Sequence, residues 1–584
     1  MVRREALKEQ FSLLGVNNVS EEVIDKCAEI CISNGIDEEE LVEVWMAFSV
    51  SHLRGADPTL DTLVQMERRE FSKKQELQPQ PQKQSTRSQE NSLVIYLGKE
   101  STEPDDGDDI LDAYSSTPKA KNRDGKKDEH TPDAGPGRGR SPRAIFSPAS
   151  FSPTAATPSS KYRARTNKGD AVCVYGEKCE TDWHPQNSHF QPLVQLASSH
   201  MQANTCFMFN QMRDMAQVLN ETVHHVGQMI LKKFALQEPQ AINQPHQNQF
   251  VGVGRVCCDS NGRLNAKSLI LESFSGKTVP MDVSQVESFS LFPGQVIAVE
   301  GENPLGSKLS AKQIYTDTSL PLPQRPSLSS EENGPIQIVV AAGPFTQSDT
   351  LTYQPLEDLV EYIQEHSPHL VILIGPFIDA THPHVIEGIL AETFQAFFER
   401  IVDGIMQPLE TLNTQVLMIP SWRDAHHHAV YPVLPFVLRK QYAKLILAPD
   451  PCVVDIHGLV IGATSTDILL HLGKEEIFQV QLSLDRLGRI AGHILSQQSF
   501  YPLYPPAEEM NLDLELWANY AVLEVTPHIL ILPSDLRCFV KNLNGCVIVN
   551  PERLAKGLVG GNFARLEVSC AKGDVNVNAQ IVKI

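Results

Sequence analysis

The sequence has no long hydrophobic run and no excess of positive charge. Its longest apolar stretches cover only a few residues, such as Leu370 to Ile374, whereas a bilayer-spanning helix needs about 20. The first residues, Met1 to Glu5, lead into a mixed polar stretch, which predicts no secretory signal. The formal net charge is −21, the opposite of the basic surface with which a protein grips duplex DNA. These absences argue against a membrane protein and favour a soluble protein that binds other proteins.

The sequence also has no Cys-x-x-Cys pair among its 11 cysteines. Cys173 and Cys179 lie near His184, but their spacing matches no standard zinc pattern and a fourth ligand is missing. Cys27 and Cys31 lie four residues apart in a helical pattern, which predicts buried thiols. We therefore expect no bound metal here, and reduced thiols of the kind found in nuclear or cytosolic proteins.

With 584 residues, the chain is too long for one ordinary domain. Residues 1–75 are predicted to form a helical protein-interaction domain. Ser20 is a plausible cap for a helix that ends at Asn34-Gly35, and Asp57-Pro58 opens a last helix with Leu60, Leu63 and Val64 on its face. The apolar face of the first helix is predicted to contain Val23, Ile24, Cys27, Ile30 and Cys31.

Residues 76–160 are predicted to form a disordered tether, because large apolar residues are too sparse to offset chain entropy. Several hydroxyl residues in it precede proline, which is the pattern that proline-directed cell-cycle kinases accept. Phosphate would add about −1.5 to −2 charges per site, although Ser, Thr and Pro are also simply common in disordered chain. The phosphorylation candidates are Thr131, Ser141, Ser147, Ser152 and Thr157.

Residues 161–249 are predicted to form a connecting helical segment that packs on the core. A long helix is expected from about 190 to 235, and its Met and Phe residues are predicted to be core residues. These residues are Phe207, Phe209, Met212, Met215 and Val218.

Residues 250–325 change to short strands separated by glycine-containing turns, which is typical of a small β-barrel of the oligonucleotide-binding (OB) type. Its basic residues are Arg255, Arg263, Lys267, Lys277 and Lys308, and its aromatic residues are chiefly Phe274, Phe289 and Phe292. Because core packing can claim these aromatic side chains, we expect weak binding of single-stranded DNA at most.

Residues 335–584 alternate apolar strand runs with helical stretches, which predicts an α/β domain whose sheets are covered on both faces. In such folds chemistry occurs where strands end. The residues that follow the strand runs are Ala342-Gly343-Pro344-Phe345, Gly375-Pro376-Phe377-Ile378-Asp379, Pro420-Ser421-Trp422-Arg423-Asp424 and Pro533-Ser534-Asp535.

The strand order and these positions resemble the calcineurin-like metallophosphoesterases. An active member of that family holds two metals with Asp, Asn and His side chains at the same strand ends. Here Ala342 and Pro344 stand at the first motif, Pro376 at the metal-bridging carboxylate, and Ser421 with Trp422 where Asn and His are needed. Ser534 belongs to a late element without histidines. The resemblance therefore implies an inactive two-sheet phosphoesterase domain without catalytic residues, metal or other cofactor.

A barrel before an inactive phosphoesterase domain resembles the B subunits of the eukaryotic replicative DNA polymerases alpha, delta and epsilon. Gly375 to Asp379, Pro420-Ser421-x-x-Asp424 and Pro533-Ser534-Asp535 match the degenerate motifs of that family, and Tyr162-x-x-Arg165 resembles a stretch that precedes its barrel. The N-terminal helical domain and the phosphorylatable tether are most similar to the polymerase alpha branch of the family.

This resemblance implies a non-catalytic accessory subunit in the nucleus. Its expected partners are the C-terminal domain of the polymerase alpha catalytic subunit, the two primase subunits, other replication proteins at the N-terminal domain, and cell-cycle kinases. Contact with DNA is expected to be weak or indirect, and no contact with a membrane is expected.

Two other functions remain open at this point. One is a metal-dependent phosphoesterase with unusual ligands, for which Asp379, His382, Asp424, His457 and the run His426 to His428 are the candidates. We interpret these residues as surface or satisfied polar groups, because adjacent histidines point in different directions. The other is a single-stranded DNA-binding protein that uses the barrel.

Overall fold

The computed structural model describes parts of residues 7–66, and then residues 160–176, 192–197, 199–260, 262–323, 326, 334–479, 485–571 and 574–584. The predicted phosphorylation sites, and Cys179 with His184, lie outside the described residues. Within the described part of the chain, none of the helices has the length and hydrophobicity that crossing a membrane requires.

The N-terminal part contains helix α1 (Glu21–Asn34) and helix α2 (Leu60–Met66). The five apolar side chains predicted for the face of α1 are all buried, which confirms that face. In α2, Leu63 is buried but Leu60 is 40% exposed, so the prediction that Leu60 belongs to the buried face is wrong.

The other helices and strands whose bounds the structure describes lie between Ser160 and Lys583. The helices are α3 (Ser160–Arg163), α4 (Met212–Lys233), α5 (Gln354–His366), α6 (Pro383–Ile386), α7 (Phe394–Leu409), α8 (Ile468–Glu475), α9 (Arg486–Ser496) and α10 (Leu514–Tyr520). The strands are β1 (Ala171–Tyr175), β2 (Val194–Leu196), β3 (His246–Cys258), β4 (Leu269–Glu272), β5 (Thr278–Asp282), β6 (Phe289–Leu291), β7 (Val296–Asn303), β8 (Leu309–Tyr315), β9 (Ile336–Ala342), β10 (Leu370–Ile374), β11 (Gln415–Ile419), β12 (Leu445–Leu447), β13 (Cys452–Ile456), β14 (Leu459–Ala463), β15 (Ile477–Gln479), β16 (Ile529–Ile531), β17 (Phe539–Leu543), β18 (Cys546–Asn550), β19 (Ala555–Lys556), β20 (Val559–Gly560), β21 (Asn562–Ala571) and β22 (Asp574–Lys583).

Two sheets form the centre of the α/β domain. The strand order is β1-β22-β21-β9-β10-β11-β12 in the first sheet and β17-β18-β16-β14-β13-β2 in the second. Ile338 and Ile372 of the first sheet share one core with Ile461 and Ile529 of the second. Helices α5 and α7 cover the outer face of the first sheet, and α8, α9 and α10 cover that of the second. Burial on both faces explains the continuous apolar runs in the sequence.

The barrel consists of β3, β4, β5, β8 and β7, closed in that order. Its predicted strands around Val251, Leu269 and Val296 are confirmed, whereas β5 and β8 were not predicted. Helix α4 packs on the outside of the barrel, with Val223 and Ile230 against Val253. A short antiparallel pairing of β6 with β15 joins the barrel to the α/β domain.

The predicted helix from about 190 to 235 is correct only from Met212 onward. Residues 194–196 form β2, because the backbone there pairs antiparallel with β13 at the edge of the second sheet. Helix α4 begins after Gln211, whose backbone N–H donates to the Asp214 carboxylate at 3.2 Å, a capping box that starts the helix there. The expectation that Phe209 and Met212 are core residues is wrong, since they are 81% and 87% exposed.

Candidate functional site at the strand ends

The carboxyl ends of β9, β10 and β11 lie side by side, because these three strands are parallel neighbours. Ala342 pairs with Ile374, and Ile374 pairs with Ile419, so the strands end at the same level of the sheet. Pro344, Pro376 and Ser421 therefore lie in three adjacent loops. Loops at this edge of an α/β sheet are where ligands usually bind.

The three loops contact each other directly at two glycines. A Cβ atom at Gly343 would lie 2.0 Å from the carbonyl oxygen of Pro376. A Cβ atom at Gly375 would lie 2.6 Å from Oδ2 of Asp424 and 2.8 Å from the backbone nitrogen of Ser421. The space between the strand ends is therefore filled by atoms of the protein itself.

The carboxylate of Asp424 ties two of these loops together. It accepts hydrogen bonds from the backbone N–H groups of Phe377 at 2.5 Å, Ile378 at 3.0 Å and Ser421 at 2.9 Å. The side chain is almost completely buried, and this burial raises the pKa of Asp424 to about 7. The interpretation of Asp424 as a satisfied polar group agrees with these contacts.

Two arginines neutralise the other carboxylates at this edge, and we call the five side chains the strand-end cluster. Arg423 Nη2 lies 2.5 Å from Asp379 Oδ2. Arg553 lies 3.0 Å from Asp535 through Nε and 3.5 Å from Asp467 through Nη2, and it is 3% exposed. Burial alone would raise the pKa of Asp535, but Arg553 and Arg423 hold it below its usual range.

The residues at this edge do not fit a two-metal centre. The carboxylates face guanidinium groups, and the side chains of Ala342, Pro344 and Pro376 carry no ligand atom. Among the described residues, no group of three or more His, Cys, Asp or Glu side chains is arranged to hold a metal ion. The carboxylates of the strand-end cluster are therefore engaged in ion pairs with arginine side chains.

The other predicted positions are used for packing and for backbone hydrogen bonds. Ser421 is buried, and Trp422 packs against the core beneath the second sheet. Ser534 is also buried, and its Oγ accepts from the N–H of Leu536 at 3.1 Å. The structure places Ser534 in the loop after β16, on the second sheet, beside Asp535 of the strand-end cluster.

The histidine run does not form a shared site. His426 stacks on Phe398 with a ring-centroid distance of 4.0 Å, and burial lowers the pKa of His426 to about 3. His427 Nε2 lies 2.7 Å from the carbonyl oxygen of Leu434, while His428 is exposed. The three rings thus contact different partners. Both ring nitrogens of His426 are buried without a hydrogen-bond partner among the described residues, so the interpretation of the run as surface or satisfied polar groups is wrong for His426.

Three family models match the chain in separate regions. A model for the N-terminal part of the DNA polymerase alpha B subunit matches residues 5–73, and a model for the OB domain of the same kind of subunit matches residues 216–317. A model for the B subunit of DNA polymerases alpha and epsilon matches residues 338–541, which include the strand ends.

Curated proteins match over the whole chain. The DNA polymerase alpha B subunit of Rattus norvegicus is 34% identical, with 100% of both chains covered. The protein of the same name from Mus musculus is 33% identical over 100% of both chains, and that from Drosophila melanogaster is 35% identical over 97% of this chain and 96% of the other. The chain belongs to the family of DNA polymerase alpha B subunits. The predicted resemblance is thereby confirmed, together with the N-terminal, OB and phosphoesterase-like regions.

The Tyr162-x-x-Arg165 motif, which resembles a stretch of the B-subunit family, joins distant parts of the chain. The Tyr162 hydroxyl donates to Asp358 of α5 at 2.5 Å, and the Arg165 guanidinium lies 3.8 Å from the centre of the Tyr162 ring. Arg165 Nε also donates to the carbonyl oxygen of Ile584 at 2.9 Å. In this member of the family, the motif therefore anchors the segment before β1 and residue 584 to the outer layer of the first sheet.

Sequence reasoning missed Arg553 and Asp467 of the strand-end cluster. Neither belongs to a strand-end motif that stands out in the sequence, and they meet because Asp467, Asp535 and Arg553 follow the parallel neighbours β14, β16 and β18 of the second sheet. Arg423 was visible inside the Ser421-Trp422-Arg423-Asp424 motif, but its pairing with Asp379 required the parallel arrangement of β10 and β11.

Proposed function

We propose that this chain is the non-catalytic accessory subunit of a nuclear DNA polymerase alpha–primase complex. In this function it binds the C-terminal domain of the catalytic subunit and supports primer synthesis at the initiation of DNA replication. The observation that carries the proposal is how the strand ends are filled. Arg423 and Arg553 neutralise the carboxylates of the strand-end cluster, and the Asp424 carboxylate accepts hydrogen bonds from two of the adjacent loops. Ala342, Pro344, Pro376, Ser421, Trp422 and Ser534 are then former metal-site positions that now serve packing.

The contacts between the barrel and the α/β domain support a role as a single rigid platform. Glu476 accepts hydrogen bonds from Ser290 of β6, from Arg489 Nε at 2.8 Å and from His493 Nε2 at 3.0 Å. Burial alone would raise the pKa of Glu476, but these donors lower it to about 2. The Gln497 side chain also bonds the backbone of Val296 in β7 through its oxygen at 2.8 Å and its nitrogen at 3.1 Å.

The barrel surface supports weak or indirect contact with DNA. Arg255 is buried and pairs with Glu272 at 2.5 Å, and Lys308 pairs with Asp282 at 2.8 Å. Phe292 is fully buried, whereas Phe274 is 49% exposed, so the expectation that packing claims all three barrel aromatics is wrong for Phe274. Arg263, Lys267 and Lys277 are exposed, but a single exposed ring is a poor platform for stacked bases.

The other parts of the proposal concern assembly and regulation. Through the catalytic subunit the chain would join the two primase subunits. Residues 1–75 would recruit other replication proteins, and cell-cycle kinases would modify the Ser/Thr-Pro sites of the tether. The proposed division of the rest of the chain remains that of the sequence analysis, with boundaries at 76–160, 161–249, 250–325 and 335–584.

Co-purification with the isolated C-terminal domain of the polymerase alpha catalytic subunit tests the central claim. We expect a stable one-to-one complex in size-exclusion chromatography, with no hydrolysis of an aryl phosphate by the chain in the presence of Mn²⁺. Failure to form that complex, or hydrolysis that is lost when Asp424 is replaced by Asn, would contradict the proposed function.

A further inference from the structure

Three large apolar side chains are exposed close together on the segment that leads into α4. Met208 is 57% exposed, Phe209 is 81% exposed and Met212 is 87% exposed. Single exposed apolar residues are ordinary on protein surfaces, but a group of neighbouring large ones marks an interaction surface. Phe and Met are also among the residues enriched in protein–protein interfaces.

This segment is held in place by a buried carboxylate. Asp513 is 2% exposed and accepts hydrogen bonds from the Met208 backbone N–H at 2.5 Å and from Asn210 Nδ2 at 2.8 Å. The same carboxylate caps α10 by accepting from the Leu516 N–H at 3.0 Å. Because the segment is fixed before any partner arrives, its exposed side chains lose little conformational freedom on binding.

A cavity of about 360 Å³ opens beside the exposed side chains. Its walls include Phe207, Phe209 and Tyr520, together with the carboxylate of Glu515. A recess that combines aromatic walls with polar groups such as Asn210 and Asn519 is suited to receive a bulky side chain of a partner together with its polar neighbours. We call Met208, Phe209, Met212 and this cavity the Phe209 surface.

The charge around the Phe209 surface indicates which kind of partner it fits. The sequence has no Lys or Arg between Arg489 and Arg537, a stretch that includes α10. The exposed acidic residues of the same stretch are Glu508, Glu509, Glu515 and Glu524, whereas Asp513 is buried and Asp535 is paired with Arg553. Arg213, next to Met212, is followed directly by Asp214. Such a surface repels nucleic acid and anionic lipid and attracts a basic protein segment.

We propose that the Phe209 surface receives a basic segment of the catalytic subunit's C-terminal domain, which inserts a bulky apolar side chain into the cavity. The inference rests on the proposed function, and it adds the place and the chemistry of contact. Phe209 and Met212 act as apolar anchors, and Glu515 lies where it can pair with a cation of the incoming segment.

Calorimetric titration of the full chain with the purified C-terminal domain tests the proposal. We expect the double variant Phe209→Ala/Met212→Ala to bind about 30-fold more weakly or worse, since buried anchors dominate interface energies. Glu515→Lys is expected to weaken binding and to reduce its dependence on salt concentration. The matched controls are Ile386→Ala and Val437→Ala, whose side chains are 62% and 66% exposed elsewhere on the chain.

The possible outcomes separate the two claims. If the unsubstituted chain binds and the double variant binds equally well, the inference is wrong and the proposed function stands. If the unsubstituted chain itself does not bind, both are wrong. Thermal melting of each variant identifies a loss of folding, and the exposed position of Phe209 and Met212 predicts an unchanged melting temperature.

Discussion

The strand-end cluster and the Phe209 surface use their side chains in opposite ways. At the strand ends, Arg423, Arg553 and their carboxylate partners are drawn inward and neutralise each other. At the Phe209 surface, large apolar side chains face solvent beside the exposed carboxylate of Glu515. Under the proposed function, the difference means that the edge where this fold usually performs chemistry is part of the structural core, and that recognition belongs to the outside of the molecule.

The pairing of carboxylates with arginine side chains at the strand ends has a physical basis. Carboxylates that converge at parallel strand ends repel one another when buried, and a family member with metals neutralises them with cations. A guanidinium group supplies the same positive charge and also donates directional hydrogen bonds. Arg553 lies between Asp535 and Asp467 and supplies positive charge to both carboxylates.

The largest expected effect on stability comes from Arg553→Met, which removes a charged side chain of the strand-end cluster. The substitution keeps much of the side chain's volume but removes the hydrogen bond to Asp535 and the ion pair with Asp467, leaving their charges buried. We expect the free energy of unfolding to fall by about 3–5 kcal/mol, measured by denaturant titration at pH 7. Lys267→Met, at an exposed site on the barrel, is the control and should change it by less than about 0.5 kcal/mol. Equal effects from the two substitutions would show that the cluster is not structural.

The second-largest expected effect concerns the contacts that join the barrel to the α/β domain. Glu476→Gln removes the charge that Arg489, His493 and Ser290 share between the barrel and the α/β domain. Because the side chain is 2% exposed, we expect a loss of about 3 kcal/mol of unfolding free energy at pH 7. Glu287→Gln, at an exposed residue before β6, is the matched control. If Glu476→Gln did not lower the free energy of unfolding, the Glu476 contacts would contribute little to the stability of the contact between the barrel and the α/β domain.

The pH dependence of the Glu476 effect has a definite sign. Its pKa is lowered from 4.5 to about 2 in the folded chain, so its stabilisation is complete above pH 4.5 and disappears as the pH falls towards 2. The difference in unfolding free energy between the unsubstituted chain and Glu476→Gln should therefore be constant from pH 6 to 8 and should narrow below pH 4.5. A difference that widens on acidification would contradict the assigned shift.

How far the sequence predicts these regions depends on where the determining contacts lie. The strand runs and the degenerate strand-end motifs were predictable, because burial on both faces imposes continuous apolar stretches. The long hairpin of β21 and β22 was not, since its strands are placed by pairing with β9. The partners of Arg553 are brought together by the parallel pairing of β14, β16 and β18, which the sequence does not show. The exposure of Phe209 was missed because a Met and Phe stripe before a helix usually indicates a core face.

The smallest expected effect on stability is the one that best distinguishes the strand-end cluster from the Phe209 surface. Gly375→Ala places a methyl group 2.6 Å from Asp424 Oδ2 and 2.8 Å from the Ser421 nitrogen, so the strand-end loops must move apart. We expect a loss of about 1–3 kcal/mol in unfolding free energy.

The control for this substitution is Gly492→Ala in α9, where a Cβ atom meets nothing within 4 Å. There the greater helix propensity of alanine should leave stability unchanged or raise it by up to about 1 kcal/mol. Gly375→Ala should leave the affinity for the catalytic subunit's C-terminal domain unchanged, whereas Phe209→Ala/Met212→Ala should weaken binding and leave stability unchanged. If Gly375→Ala weakened binding as strongly as the double variant while remaining folded, the strand ends would be part of the interface. The strand-end cluster would then not be purely structural, and the comparison with the Phe209 surface would be wrong.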